Sequence, residues 1–316
     1  MHSRLTRRHF LLRAASGGAL LAFARPAAGA DGMFVSLNGS LVPGVSGEEK
    51  IRLAARVGYG GVDWDLGPAK AAGADATRAL FRDLGIRPTI VSLPMQSPFA
   101  GGDAEFAARL PQLAEDAAFA AAVGGDRMML VLSPAFPLPK DEQLKIVRDR
   151  LAAIADVLQK ARIRLGLEFL GPLYMRTGPG RDGAPRHPFI WTLPETVALA
   201  AAAGPNIGAV LDVWHWHHSG GTIADILATD PSRIVHVHIS DAKPAPPEDV
   251  RDNHRHMPGE GSIDLVRFLQ ALKTIGYRDG VSPEPLGRIP KDMRPEEGAR
   301  LGLETTTAVM RRAGVL

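Results

Sequence analysis

The chain has 316 residues, including 34 glycines, 25 prolines and no cysteine, and a formal net charge of +3. Without cysteine there can be no disulfide, no thiolate metal site and no cysteine nucleophile. The positive charge is local: five of the 37 basic residues (Arg4, Arg7, Arg8, Arg13 and Arg25) and none of the 34 acids fall in residues 1–30, which leaves 32 against 34, a net of −2. That balance excludes a general polyanion-binding surface and argues against nucleic acid as a partner.

The twin arginines Arg7 and Arg8, the apolar run 11–24 and the small-x-small triplet Ala28-Gly29-Ala30 resemble a twin-arginine export signal cleaved after Ala30. The run is interrupted by Arg13 and is shorter than the ~20 residues a membrane span needs. The expectation is a signal over 1–30, a mature domain over 31–316 without a stable membrane span, and a periplasmic or exported location.

Beyond the signal, short β-rich runs alternate with longer Ala/Leu-rich ones. Strands are expected at 33–37, 61–64, 89–93, 128–132, 164–169, 207–212, 234–239 and 280–284. Mostly apolar runs bounded by Gly and Pro suit strands buried on both faces of a parallel sheet. Helices are expected between them at 46–57, 75–84, 103–123, 141–161, 193–203, 223–228, 263–275 and 296–313. Ser46 stands where an N-cap is needed, with Glu48 and Glu49 in the first turn, and Gly85 stands where a helix terminates. Eight strand–helix units without a break in composition predict a single (β/α)8 TIM barrel, an α/β fold. The competing doubly wound sheet would need a Gly-rich phosphate loop after the first strand, and LNGSLVPGVSGEE lacks the G-x-G-x-x-G spacing. The loops 171–191 and 241–261 are long and rich in Pro and Gly. Both follow C-terminal strand ends, the face on which barrels build sites.

Four consecutive strand ends carry metal-capable side chains: Glu168 in RLGLE, Asp212 in IGAVLD, His238 in IVHVHI and Glu284 in GVSPE. In a barrel these ends surround one mouth. Two Glu, one Asp and one His make an oxygen-rich set with one imidazole, suited to one divalent ion (Mn2+, Mg2+, Co2+ or Zn2+). Such an ion can act as a Lewis acid on a hydroxy-ketone, while Glu168 and Glu284, from the fifth and eighth strands, flank the substrate as a proton-transfer pair. Every histidine after the signal lies between His187 and His256. In LDVWHWHHSG, Asp212 is the expected ligand, although a helix cap or turn is its ordinary alternative. His217 and His218 read as loop residues. His236 and His238 share a strand face, and only the one nearer the C-terminal end need reach the ion.

The motifs LGLEFLGP, LDVWH, HVHISD, RHMPGEGSID and SPEPL resemble the xylose isomerase-like TIM-barrel superfamily in its sugar isomerase/epimerase branch. The resemblance implies Glu168, Asp212, His238 and Glu284 as metal ligands, with Glu168 and Glu284 doubling as acid and base. It implies His215 and Arg255 as substrate-binding residues and Mn2+ as the first choice of ion. Three features depart from it: GVDWD after the second strand, where epimerases often carry Glu; SLPMQSP after the third, without a nearby His; and the basic stretch Arg176, Arg181, Arg186 and His187. The expected function is a divalent-metal-dependent isomerase or epimerase of a carbohydrate, working by proton transfer through an enediolate; homo-oligomers are common among such soluble enzymes. The alternatives are a metal-dependent lyase or hydratase of a 3-keto-glycoside on the same site, a phosphodiesterase or abasic-site nuclease, and a non-catalytic sugar-binding barrel.

Overall fold

The computed structural model describes residues 32–177, 183 and 185–316, so the expected export signal and Arg181 lie outside the described residues. In chain order the elements are β1 (Phe34–Leu37), α1 (Gly47–Val57), β2 (Gly61–Val62), α2 (Leu66–Ala72), α3 (Ala74–Leu84), β3 (Arg87–Pro88) and β4 (Val91–Ser92). Next come α4 (Asp103–Val123), β5 (Arg127–Leu132), β6 (Ala135–Phe136), α5 (Lys140–Lys160), β7 (Arg164–Phe169), α6 (Leu173–Arg176), β8 (His187–Pro188) and α7 (Leu193–Ala203). The chain ends with β9 (Ile207–Asp212), α8 (Val213–His218), α9 (Ile223–Leu227), β10 (Ile234–Ile239), α10 (Leu265–Ile275), β11 (Gly280–Pro283) and α11 (Pro295–Arg312).

Nine strands pair in parallel in the order β3-β2-β1-β11-β10-β9-β7-β5-β4. The two ends of that order belong to one stretch of chain. Residues 87–90 face β2, through Arg87↔Gly61 pairing and a 3.0 Å bond from the Thr89 amide to the Val62 carbonyl. Residues 91–93 face β5, through Val91↔Met128 and a 2.7 Å bond from the Leu93 amide to the Met129 carbonyl. The third strand, expected as one run, therefore splits because barrel stagger makes it change partners midway, and the sheet closes into the TIM barrel the pattern predicts.

β9 and β10 are buried along their whole length, as expected of parallel strands covered by helices outside and stacked side chains within. Ala-rich α4 and α7 and amphipathic α10 supply the outer layer, with Phe106, Leu113, Leu199, Phe268 and Leu269 turned inward. Gly85 caps α3 in the left-handed conformation (φ 65°) as its position implies. Ser46 precedes α1 with extended backbone, but its side chain makes no capping bond. The Gly47 amide bonds Asp65 Oδ2 instead, at 3.0 Å. The loop 171–191 is shorter of free chain than expected: it carries α6 and β8, which pairs antiparallel with β6 from the loop after β5 (Phe136↔His187). Among the described residues, no helix is long and apolar enough to cross a membrane.

Candidate metal centre

The four expected strand ends converge. Asp212, the last residue of β9, stands in register with His238 of β10. Glu168 of β7 pairs across Val210, and Glu284 follows β11 with its amide bonded to the Ile239 carbonyl at 2.9 Å. One ligand-capable atom from each of Glu168, Asp212, His238 and Glu284 lies within 4.8 Å of the other three. His238 Nδ1 stands 2.8 Å from Glu168 Oε1, 3.6 Å from Glu284 Oε2 and 4.0 Å from Asp212 Oδ2. Donors bonded to one divalent ion at roughly 2.0–2.3 Å must stand at about these mutual distances, so the residues present fit such an ion.

The electrostatics agree with the geometry. Burial, reinforced by Glu168 and Asp212 and only partly opposed by His238 and Arg255, pushes the Glu284 carboxyl up to about 8. Burial works against charge on His238, yet Glu284, Glu168 and Asp63 outweigh it and lift the imidazole to about 10. Burial would also raise Asp212, but Arg255, His215 and His238 hold it well below the usual carboxylate range. A site that raises a buried carboxyl and an imidazole together is one that draws cations.

A further acid stands behind the imidazole without bonding it. The Asp63 carboxylate, at the exit of β2, lies 3.9 Å from His238 Nε2 and 3.5 Å from His236 Nε2. Asp63 accepts from Ser36 Oγ (3.0 Å), Asn38 Nδ2 (3.0 Å), Thr89 Oγ1 (2.8 Å) and Ser282 Oγ (2.8 Å). Fixed by these four donors, Asp63 places a negative charge behind His238, and Nδ1, on the Glu168 side, is the ring nitrogen that faces the other three ligands. His236 points to the barrel floor, bonded to Ser282 Oγ at 2.8 Å.

Asp212 has two roles, because the cap and the ligand use different oxygens. Oδ1 accepts from the Trp214 and His215 amides (2.7 and 3.0 Å) and starts α8, while Oδ2 faces the site. The single turn so nucleated brings His215 to the mouth. It also makes the expected loop residues His217 and His218 the last helical turn, His217 exposed and His218 packed 4.4 Å from Trp214. Trp214 and Trp216 are both buried core residues.

Arg255 is 2 % exposed and gathers the site's acids. Nη1 donates to Asp212 Oδ2 (2.7 Å) and Glu284 Oε2 (3.0 Å); Nη2 donates to Asp252 Oδ1 (2.6 Å) and His215 Nε2 (3.0 Å). An arginine cannot accept, so His215 must present Nε2 as a bare acceptor and carry its proton on Nδ1. Burial, with Arg255 beside it, lowers His215 and keeps it neutral, although Asp212 opposes this. The loop carrying Arg255 is organised by Asp241, whose carboxylate accepts from the Ala242, Gly259 and Ile263 amides. This accounts physically for Asp241 of HVHISD and the glycines of RHMPGEGSID: a Cβ on Gly261 would stand 2.3 Å from Asp241 Oδ1.

The centre opens into a cavity of about 410 Å³ walled by Glu168, His215, His238, Asp252, Arg255 and Glu284, and beyond them by Asn38, Lys50, Trp64 and Asp65. The sequence reading missed Asp63, Asp252, Lys50 and Asp65. Two signals were present: an acid at a fifth strand end in GVDWD, and a lysine on the apolar face of α1 beside Ile51 and Ala54.

The profile of the Xylose isomerase-like TIM barrel family matches residues 51–309. An inosose isomerase of Bacillus velezensis is 30 % identical over 174 residues, 54 % of this chain and 57 % of the relative. The chain thus spans little more than half the length of the curated relatives it matches. A xylose isomerase domain protein from Alicyclobacillus acidocaldarius superimposes with a TM-score of 0.79 at 30 % identity, over 89 % of this chain and 99 % of the other. The IOLI protein with a binding zinc atom superimposes at 0.71 with 23 % identity, over 89 % and 99 %.

Proposed function

Because the chain belongs to the xylose isomerase-like TIM barrel family, we infer that it is a divalent-metal-dependent isomerase or epimerase of a small polyhydroxy ketone or aldehyde. The observation that carries this reading is the convergence of Glu168, Asp212, His238 and Glu284 within 4.8 Å at one wall of a sugar-sized cavity. Those four residues would hold the ion, and the ion would polarise a substrate carbonyl and acidify the adjacent C–H. Glu168 and Glu284 reach the centre from β7 and β11, with β9 and β10 between them. A substrate carbon lying between them can lose a proton to one carboxylate and regain it from the other, through an enediolate. Both carboxylates must be ionised to hold the ion, so the one that takes the proton from the substrate becomes the acid that returns it. Arg255 holds Glu284 and Asp212, the His215 amide holds Asp212, and His238 holds Glu168.

Three carboxylates and one imidazole suit Zn2+ as well as Mn2+, Mg2+ or Co2+, so the donor set supports a divalent ion and gives manganese no preference. The test is proton exchange in D2O, followed by NMR, on an inosose and on free ketoses with the metal-loaded protein. Deuterium should enter at the carbon beside the carbonyl, and Glu168→Gln and Glu284→Gln should each reduce the rate at least 10²-fold, the usual scale for a general acid or base. Undiminished exchange in both variants would refute the reading. Release of an aglycone from a keto-glycoside would favour elimination instead.

A further inference from the structure

On the far side of the cavity, Lys50 and Asp65 form an ion pair that the metal centre does not use. Lys50 lies on α1 among Ile51, Leu53 and Ala54 and is only 4 % exposed. Lysine is almost never buried so deeply without a partner. A well-packed apolar residue would serve stability as well there. Nζ stands 2.9 Å from both Asp65 Oδ1 and Asp65 Oδ2. Asp65 occupies the N-cap position of α2 but does not cap it; Oδ2 accepts instead from the Gly47 amide at the start of α1.

Both residues line the cavity that Glu168, His238 and Glu284 line. An ammonium has three N–H donors, and one hydrogen bond is made, to Asp65 Oδ1; a carboxylate has about four acceptor positions, and Lys50 and the Gly47 amide take two. Donors on Lys50 and acceptor positions on Asp65 are left on neighbouring groups at the cavity wall, the complement of two neighbouring hydroxyls. The pair is neutral as a unit, and the rest of the mouth is acidic, so it favours an uncharged polyol over a phosphate or a sugar acid. Its place in the barrel sets the distance. Lys50 follows β1 and Asp65 follows β2, which lies four strands around the closed sheet from β9 and Asp212.

Resting on the reading of the metal centre given above, we propose that Lys50 and Asp65 are the specificity-determining pair that binds a vicinal diol at the end of an uncharged, sugar-sized polyhydroxy ketone remote from its reacting carbonyl. The test compares an inosose with its deoxy analogue lacking the hydroxyl farthest from the ketone, by deuterium exchange with the metal-loaded protein. Wild type should prefer the full inosose about tenfold in kcat/KM, the scale of one charge-assisted hydrogen bond. Lys50→Met and Asp65→Asn should abolish that preference, with the loss falling on KM for the full inosose and less on the analogue. Lys50→Arg should restore part of it. Should Lys50→Met fail to fold by circular dichroism, Asp65→Asn and Lys50→Arg carry the comparison. Exchange in wild type with an unchanged preference in the folded variants overturns the pair's role alone, as does an equal fall in kcat on both substrates. No exchange in metal-loaded wild type overturns the reading of the centre and this inference with it.

Discussion

Arg255 is the residue on which most of the site's charge balance rests, because it serves Asp212, Glu284, Asp252 and His215 at once. Arg255→Met would leave buried carboxylates without their donor, so we expect roughly 3–5 kcal/mol of destabilisation, read by chemical denaturation. Lysine should not substitute, since one ammonium cannot reach four partners in the fork geometry. Asp63→Asn is a subtler change. It would set an amide NH2 against hydroxyls already donating inward, and remove the negative charge behind His238. Metal affinity should fall about 10–100-fold while the folded signal persists, measured by competition with a chelating dye; unchanged affinity would contradict the backing role. The convergence of the four strand-end residues was legible because each carried a chemically rare side chain at a repeated position. Asp63 and Lys50 were obscured because one was read as a departure from a pattern and the other sat inside a helical period. Burial, which makes Lys50 unusual, depends on what packs over α1, and no local sequence states that.

Among the elements, the strands fully enclosed by others were legible to the residue: Arg164–Phe169, Ile207–Asp212 and Ile234–Ile239 stand where their apolar runs put them. The misses were α2, α6, α8 and the β6–β8 pair, all too short to show a period and all held by tertiary contacts or a single cap. The junction between β7 and α8 shows how tightly these short pieces are fitted. A Cβ on Gly171 would stand 1.9 Å from the His215 carbonyl oxygen, with no flexible side chain to yield. Gly171→Ala must therefore push α8 away from β7, and His215 with it. A melting temperature lowered by several degrees and a raised KM in the exchange assay are expected together. A variant with wild-type values of both would show that the strand exit tolerates displacement.

At the scale of the whole molecule, the centre links folding to pH and metal. Glu284 and His238 bind their protons more tightly in the folded protein than in the unfolded chain. The stability they add is complete below the ordinary values of 4.5 and 6.5, and is lost as pH rises through about 8 and about 10. Asp212, held low, adds stability above its ordinary 3.8, so it contributes nothing to the slope in that window. Chelator-treated protein should melt at lower temperature at pH 9 than at pH 6, with a flatter profile in His238→Gln. With a divalent ion in excess the trend should reverse, because ligands must be deprotonated to bind; parallel melts with and without chelator decide it. The barrel's hydrogen bonding is also uneven. β5 and β7 share six register pairs, whereas β1–β2, β2–β3 and β4–β5 share two each. The seam where the chain changes partners between Pro88 and Val91 lies in the sparse half. Opening free energies should follow that density: amides of β7, β9 and β10 exchange with solvent only on global unfolding, and those of β2, β3 and β4 by cheaper local excursions. The barrel then behaves as a stiff anvil that keeps its charges in place, facing a wall loose enough to settle around whatever enters the mouth.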